Sequence, residues 1–264
     1  LLSFTTYAGE TMGKVTPLDP RIDKLIPKDA VIEKLATGFK WSEGPVWLPK
    51  EKALVFSDIP NNRVMRWSAT DGLSVYLRPA GYTGAKVRGG ETGSNGLILD
   101  SEGNLVLCQH GDRRISRLTS DWSFQPLVTQ YKGKRLNSPN DAVFHSNGDL
   151  YFTDPPYGLA KYMNDPSKEL DFQGVFRLPK GSKEPVLLTK ELSRPNGIAF
   201  SPDEKKLYVA NSGKPPVWMV YDVKEDGSIA NGKVFFDATE LRKQGKRGRQ
   251  DGLKVDKDGN LFAT

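Results

Sequence analysis

One phrase of about fifteen residues recurs five times along the chain, and this recurrence limits the fold more than any other feature. From Glu43 it reads EGPVWLPKEKALVFSD, from Asn95 NGLILDSEGNLVLC, from Asn140 NDAVFHSNGDLYFTD, from Asn196 NGIAFSPDEKKLYVAN and from Asp251 DGLKVDKDGNLFAT. Successive starts lie 52, 45, 56 and 55 residues apart. Each copy is a short apolar strand, a turn and a second apolar strand. Short strands repeating at roughly 50 residues are the mark of a β-propeller with one repeat per blade. The expected fold class is therefore all-β, with no helix longer than two turns inside any repeat.

The segments between copies complete the blades. RVMRW and LSVYL follow the first copy, RRISRL and FQPLV the second, GVFRL and PVLLT the third, PVWMVYDV and GKVFFD the fourth. The fifth copy reaches Thr264 after its second strand. Four units and a fragment do not close a ring, so closure at this period calls for roughly another 70–80 residues. Residues 1–27 lack periodicity and read as an extended arm, with the propeller domain over 28–264. Residues 29–37 alternate like a strand, of the kind that completes the last blade of a closed propeller. The opening LLSFTTYAGE lacks a Met. It reads either as a fragment edge or as the stub of a signal peptide ending near Ala8, and the second reading favours a periplasmic or secreted protein.

The register of the copies bears on function. Each begins with an oxygen-bearing side chain: Glu43, Asn95, Asn140, Asn196, Asp251. The turn reverses the chain at the far end, so all five belong to one end of the first strands and converge near the axis. Converging carboxylates repel one another unless something positive sits among them. Oxygen ligands without His or Cys select a hard cation. The competing reading is that Asn-Gly and Asp-Gly are turn dipeptides. Against it, Glu43-Gly44-Pro45 keeps the position without being a favoured turn pair.

Composition narrows the classes. Charged residues are 27% and hydrophobic residues 37% of the 264, which suits a folded globular chain. The net charge of +6 is spread along the sequence, apart from a basic run over 243–249, so no nucleic-acid module is expected. A mildly basic face can attract anionic small molecules. No run approaches a membrane span. Cys108, the single cysteine, excludes an internal disulfide and a cysteine-based metal site.

A second aligned column closes the second strands: Asp58, Gln109, Asp154 and Asn211. It reads either as a shell behind the five leading residues or as strand-end caps for neighbouring loops. Just before it runs a small-residue column of Ser57, Cys108, Thr153, Ala210 and Thr264, where Cys108 is read as packing. His110 follows Gln109 at the site end, a candidate acid, base or substrate-binding group. His145 lies at the opposite end of its strand, on the order of 16 Å away. Two long loops, 78–94 and 155–172, are Gly- and charge-rich and are expected to cover the site.

On the segments WSEGPVW, VFSDIPNNRVMRW, GSNGLILDSEGNLVLCQHGDRRISRL, NSPNDAVFHSNGDLYFTDPPYGL, RPNGIAFSPDEKKLYVANS and QDGLKVDKDGNLFAT, the chain resembles the gluconolactonase, regucalcin (senescence marker protein) and lactonase-like family. The resemblance covers residues 29–264. It implies a six-bladed propeller with one divalent metal on the axis, calcium first, with zinc, magnesium or manganese as alternatives. Position by position, the implied ligands are Glu43, Asn140, Asn196 and Asp251, with Asn95 nearer to substrate. Regucalcin-like members carry Arg where this chain has Ser138, so that sugar contact is not carried over.

The expected activity is metal-dependent opening of a sugar lactone. Glu43 and Asp251 would balance a divalent charge, and open metal positions suit hydrolysis. Asp251 or His110 would take the proton of the attacking water, Asp251 being preferred because it is axial. The expected partner is a small-molecule lactone, and the oligomeric state is left open. Two other readings stand beside it: an aryl ester or phosphotriester hydrolase using the same metal, and a non-catalytic calcium-binding propeller.

Overall fold

The computed structural model describes residues 10–86 and 88–264. The expected leader boundary near Ala8 lies outside the described residues. The fold is all-β. Each full repeat is a four-stranded antiparallel meander, paired in chain order. The first comprises β1 (Ser42–Leu48), β2 (Ala53–Asp58), β3 (Arg63–Ser68) and β4 (Gly72–Leu77). The second comprises β5 (Ser94–Leu99), β6 (Leu105–Gln109), β7 (Arg114–Leu118) and β8 (Phe124–Val128), followed by a small hairpin, β9 (Gln130–Tyr131) and β10 (Lys134–Arg135). The third comprises β11 (Ala142–Phe144), β12 (Leu150–Asp154), β13 (Gly174–Leu178) and β14 (Val186–Thr189). The fourth comprises β15 (Pro195–Phe200), β16 (Lys206–Asn211), β17 (Val217–Val223) and β18 (Ile229–Asp237). After one helical turn, α1 (Thr239–Lys243), the hairpin β19 (Leu253–Val255) and β20 (Leu261–Ala263) follows.

The core is divided among the gaps between neighbouring sheets. Val55, Val64, Leu97 and Leu107 fill the gap between sheets one and two. Ile115, Ala142, Phe152 and Phe176 fill the next, and Tyr151, Ile198, Leu207 and Val209 the one after. Strand β12 shows why: its side chains alternate, so Leu150 and Phe152 face the second sheet while Tyr151 faces the fourth. Both faces are buried, and the strand is apolar in consecutive positions rather than alternating.

The first strands of successive sheets lie against one another: β1 on β5, β5 on β11, β11 on β15, β15 on β19. This close approach explains the glycine after most leading residues. A Cβ on Gly96 would stand 2.6 Å from the Asn140 carbonyl oxygen, and one on Gly197 2.5 Å from that of Asp251. Both glycines instead donate their N–H to those same oxygens, at 2.7 and 3.2 Å. The dipeptides are therefore strand contacts and not turns. We expect Gly96→Ala to lower stability by about 1–3 kcal/mol, because backbone on the neighbouring strand must shift. Denaturant titration checks this, and a loss below about 0.5 kcal/mol would count against the contact.

The small column works the same way. Ser57 Oγ donates to the Asn95 carbonyl at 2.8 Å, and Thr153 Oγ1 to the Asn196 carbonyl at 2.7 Å. Cys108 is buried, and burial pushes its thiol well above the usual range.

The strand expected over residues 29–37 does not form. Within the described residues the segment pairs with the arm at the bridge Thr11 opposite Glu33, held by Met12 N–H to Ile32 C=O and Lys34 N–H to Glu10 C=O, both 2.8 Å. Among the described residues it joins none of the sheets, and Val31 and Ile32 stay exposed. The preceding arm is not wholly extended either. Pro20–Lys24 is a 3-10 turn, favoured by Pro in its first turn and capped by Asp19, whose carboxylate accepts from Arg21 N–H at 2.9 Å.

Candidate active site

Glu43, Asn95, Asn140, Asn196 and Asp251, drawn from five repeats, line one polar cavity of about 530 Å³. The volume is in the range of small-molecule sites. The backbone aims these residues through a shared irregularity. Register shifts follow Glu43 in β1, Ser94 in β5 and Pro195 in β15, so each strand kinks beside its leading residue. On their other side the five border an apolar cavity of about 1040 Å³, walled by Leu54, Phe56 and Trp67 of the first sheet, Leu25 of the arm and Phe262 of the last hairpin. The larger cavity is a gap between sheet faces; the smaller gathers the charged and amide side chains.

Three long loops complete the polar cavity. Glu91 comes from 78–94, Tyr157, Lys161, Tyr162 and Met163 from 155–172, and Arg249 from 240–250. Trp41 and Arg194 supply the rest of the wall used below. The loops 78–94 and 155–172 are Gly- and charge-rich as read from the sequence, but Tyr157 and Tyr162, with Trp41 from just ahead of β1, give the wall an aromatic share.

The charge balance on the floor is unfavourable by itself. Burial first, then the Asp251 charge, pushes the Glu43 carboxyl up to about 7, with Glu91 and Asp141 adding to it and a 2.8 Å hydrogen bond from Trp41 Nε1 opposing. Burial also raises Asp251, with Glu91 and Asp141 contributing and a hydrogen bond from Asn196 opposing. Asn196 Nδ2 donates to Ser212 Oγ at 2.9 Å, which leaves its carbonyl oxygen for the cavity. Among the described residues, no three His, Cys, Asp or Glu side chains gather at ion-binding spacing. A cation here would rest on mixed carboxylate and amide oxygens, a donor set that fits a hard divalent ion.

This crowding sets a pH dependence. Glu43 has its folded-state pKa raised, so the stability that its neutral form allows is full below about 4.5 and lost as pH rises through about 7. Without cation, we expect unfolding free energy to fall by roughly 2 kcal/mol across that window, after discounting for partial exposure. With saturating calcium the fall should vanish. Thermal melts in chelator and in calcium from pH 4.5 to 8 test this, and parallel curves would refute it.

The second aligned column does not stand behind the five oxygen donors. It fastens the loops that deliver them. Asp58 Oδ1 accepts from Lys40 N–H at 3.0 Å and Trp41 N–H at 3.4 Å, just ahead of Glu43. Asp154 accepts from Asn137 N–H at 2.7 Å and Ser138 N–H at 2.8 Å, ahead of Asn140. Asn211 Oδ1 accepts from Arg194 N–H at 2.9 Å, ahead of Asn196. Gln109 departs from the rule: its Nε2 donates to Ala80 C=O at 2.9 Å and its Oε1 accepts from Arg114 at 2.6 Å. Burial pushes Asp154 up to about 7 against the pull of its two amides.

His110 is fully buried and does not line the polar cavity. Glu91, which does, places Oε2 3.1 Å from His110 Nδ1, so the imidazole reaches the cavity through that carboxylate. Among the described residues neither ring nitrogen has a hydrogen bond of good geometry, so the Glu91 contact is one of proximity. His145 sits in the far turn, its Nε2 3.4 Å from Glu204 and its ring edge-on to Phe200. We expect His145→Ala to keep kcat/KM within about threefold and His110→Ala to lower it at least tenfold, about 1.4 kcal/mol. Steady-state kinetics decide, and equal effects would refute the assignment of ends. Ser138 is buried and holds the insertion, donating to Pro155 C=O at 2.6 Å and accepting from Gly158 N–H at 2.9 Å.

Two residues escape the repeat argument. Glu91 carries no signal beyond its place in a long loop. Asp141 does carry one: it occupies the position where the other four copies have glycine. Its Oδ2 lies 3.5 Å from Lys254 Nζ, and its Oδ1 accepts from Ala142 N–H at 2.9 Å.

The comparisons with known proteins bear on the family and the fold. A gluconolactonase of Zymomonas mobilis is 41% identical over 97% of this chain and 73% of its own length. A solved Xanthomonas campestris gluconolactonase shares 33% identity, with a TM-score of 0.71 over 85% of this chain and 70% of that one. The Agrobacterium tumefaciens regucalcin, described as a calcium-binding protein, is 19% identical with a TM-score of 0.63 over 86% of this chain and 68% of that one, a likeness of fold. Residues 41–264 match the SMP-30/gluconolactonase/LRE-like region, and the chain belongs to that family.

Proposed function

We propose that this chain hydrolyses a sugar lactone in the polar cavity. The observation that carries the reading is the meeting of Glu43, Asn140, Asn196 and Asp251 at one cavity floor, in a chain 41% identical to a gluconolactonase. Those four would hold a divalent cation, calcium first, which when bound polarises the lactone carbonyl. Asp251 accepts a proton from the water that bonds to the carbonyl carbon. Burial makes it a stronger base than an exposed aspartate, although contact with a cation weakens this. The ring carbon–oxygen bond then breaks, and the departing alkoxide takes that proton back to give the hydroxy acid. Asn95 orients the substrate from the same floor. Glu91, backed by His110, is the second candidate for the proton.

The six-bladed reading of the fold belongs to the same proposal. The 1040 Å³ apolar gap between the first sheet and the last hairpin supports it. An aryl ester substrate is the second reading, favoured by the Trp41, Tyr157 and Tyr162 wall. A pH-indicator assay over lactones and aryl esters, with and without chelator, separates them. Lactone turnover that chelator abolishes supports the proposal; ester turnover alone overturns it.

A further inference from the structure

Arg63, Arg66, Arg114, Arg117 and Arg177 each pair with an aspartate. Arg194 and Arg249 do not, yet both line the polar cavity, together with Lys161. None of the three side chains has a carboxylate within 4.0 Å among the described residues. They come from the wall, whereas Glu43 and Asp251 form the floor. A divalent cation would balance those two floor carboxylates and leave Glu91 as the third carboxylate lining the cavity, against three basic side chains.

Arg194 is also built into the wall. Arg194 is fixed at both backbone ends, its N–H to Asn211 and its carbonyl accepting from Ser212 N–H at 3.0 Å. It precedes Asn196 by two residues, so their Cα atoms lie at most about 7 Å apart. Tyr157 and Ser212 line the cavity beside Arg194, Arg249 and Asp251. The two arginines, from the loop ahead of β15 and from 240–250, thus meet at one cavity. Guanidinium forks match carboxylate and phosphate oxygens in pairs.

We propose that Arg194, Arg249 and Lys161 form a subsite for an anionic substituent, carboxylate or phosphate, carried by the lactone away from the carbonyl under attack. The proposal deepens the lactone hydrolase reading and rests on it. A neutral sugar lactone would leave this charge unused, while an acid-bearing one would lie with its carbonyl at the floor and its anion at the wall.

The test compares kcat/KM on gluconolactone, on a glucarolactone with a free carboxylate and on 6-phosphogluconolactone. The wild type should favour at least one charged lactone over gluconolactone tenfold or more, and which one identifies the group. In the double variant Arg194→Gln, Arg249→Gln that ratio should collapse toward one. Equal rates on all three lactones, or a ratio untouched by the double variant, overturn the subsite. Calorimetric binding of gluconate, glucarate and 6-phosphogluconate reads the subsite without turnover. Tighter binding of a polyanion, lost in the double variant, upholds it even if no lactone is opened, in which case the hydrolase reading falls alone. Turnover without charge preference in either assay removes the subsite and leaves the hydrolase.

Discussion

Asp251→Asn should lower kcat/KM by at least a hundredfold, and saturating cation should not restore it. The substitution keeps shape and one oxygen donor but removes one of the two negative charges that Glu43 and Asp251 offer a divalent ion. Cation affinity should therefore fall. The larger loss is chemical, because an amide cannot accept the proton of the attacking water, and positioned bases contribute on the order of 10²–10⁴ in rate. Calorimetric cation binding beside kinetics at saturating cation separates the two effects. Full rescue by excess cation would make Asp251 a ligand only and move the base to Glu91. Unchanged cation affinity would refute the floor as drawn. Asn95→Ala is the contrast: it should spare cation binding and lower kcat/KM, since Asn95 is assigned to substrate.

The repeat was legible because its causes are local. Period-two alternation, short turns and a glycine wherever neighbouring backbones touch are all written within single copies. The five leading residues followed from that register, and they do line one cavity. What the register could not supply depends on distant pairing. His110 lies at the correct end of β6, but only the path of the 78–94 loop puts Glu91 between it and the cavity. The alternation over residues 29–37 suits the outer strand of a last blade, which the repeats leave without a partner blade, and among the described residues the segment joins no sheet. Asp141 was visible as the one non-glycine in its column, but its partner Lys254 lies two repeats on. The aligned polar column had two readings on paper. The hydrogen bonds of Asp58, Asp154 and Asn211 run to loop amides, which favours the capping reading at those three positions, while Gln109 holds a loop carbonyl instead.

That column carries the largest expected loss of stability. Asp58 is fully buried and receives Arg63 Nη2 at 2.7 Å and Nε at 2.9 Å, Asn61 Nδ2 at 2.7 Å and the amides of Lys40 and Trp41. Burial alone would raise its pKa, but these donors together hold it below the usual carboxylate range. Asp58→Ala strands the Arg63 guanidinium inside the protein without its carboxylate, which costs about 3–5 kcal/mol. It also releases the Lys40 and Trp41 amides, and Trp41 is the residue whose indole N–H holds Glu43 at 2.8 Å. Unfolding free energy should fall by that amount, and cation affinity should fall with it although Asp58 touches no cation. Asp58→Asn keeps an acceptor for one amide and should lose less of both. Urea titration and calorimetric cation binding on the two variants provide the check. A loss under about 1 kcal/mol for Asp58→Ala would show that the strand-end column does not hold these loops. A large stability loss with wild-type cation affinity would show that Glu43 is positioned by β1 itself rather than by the loop ahead of it.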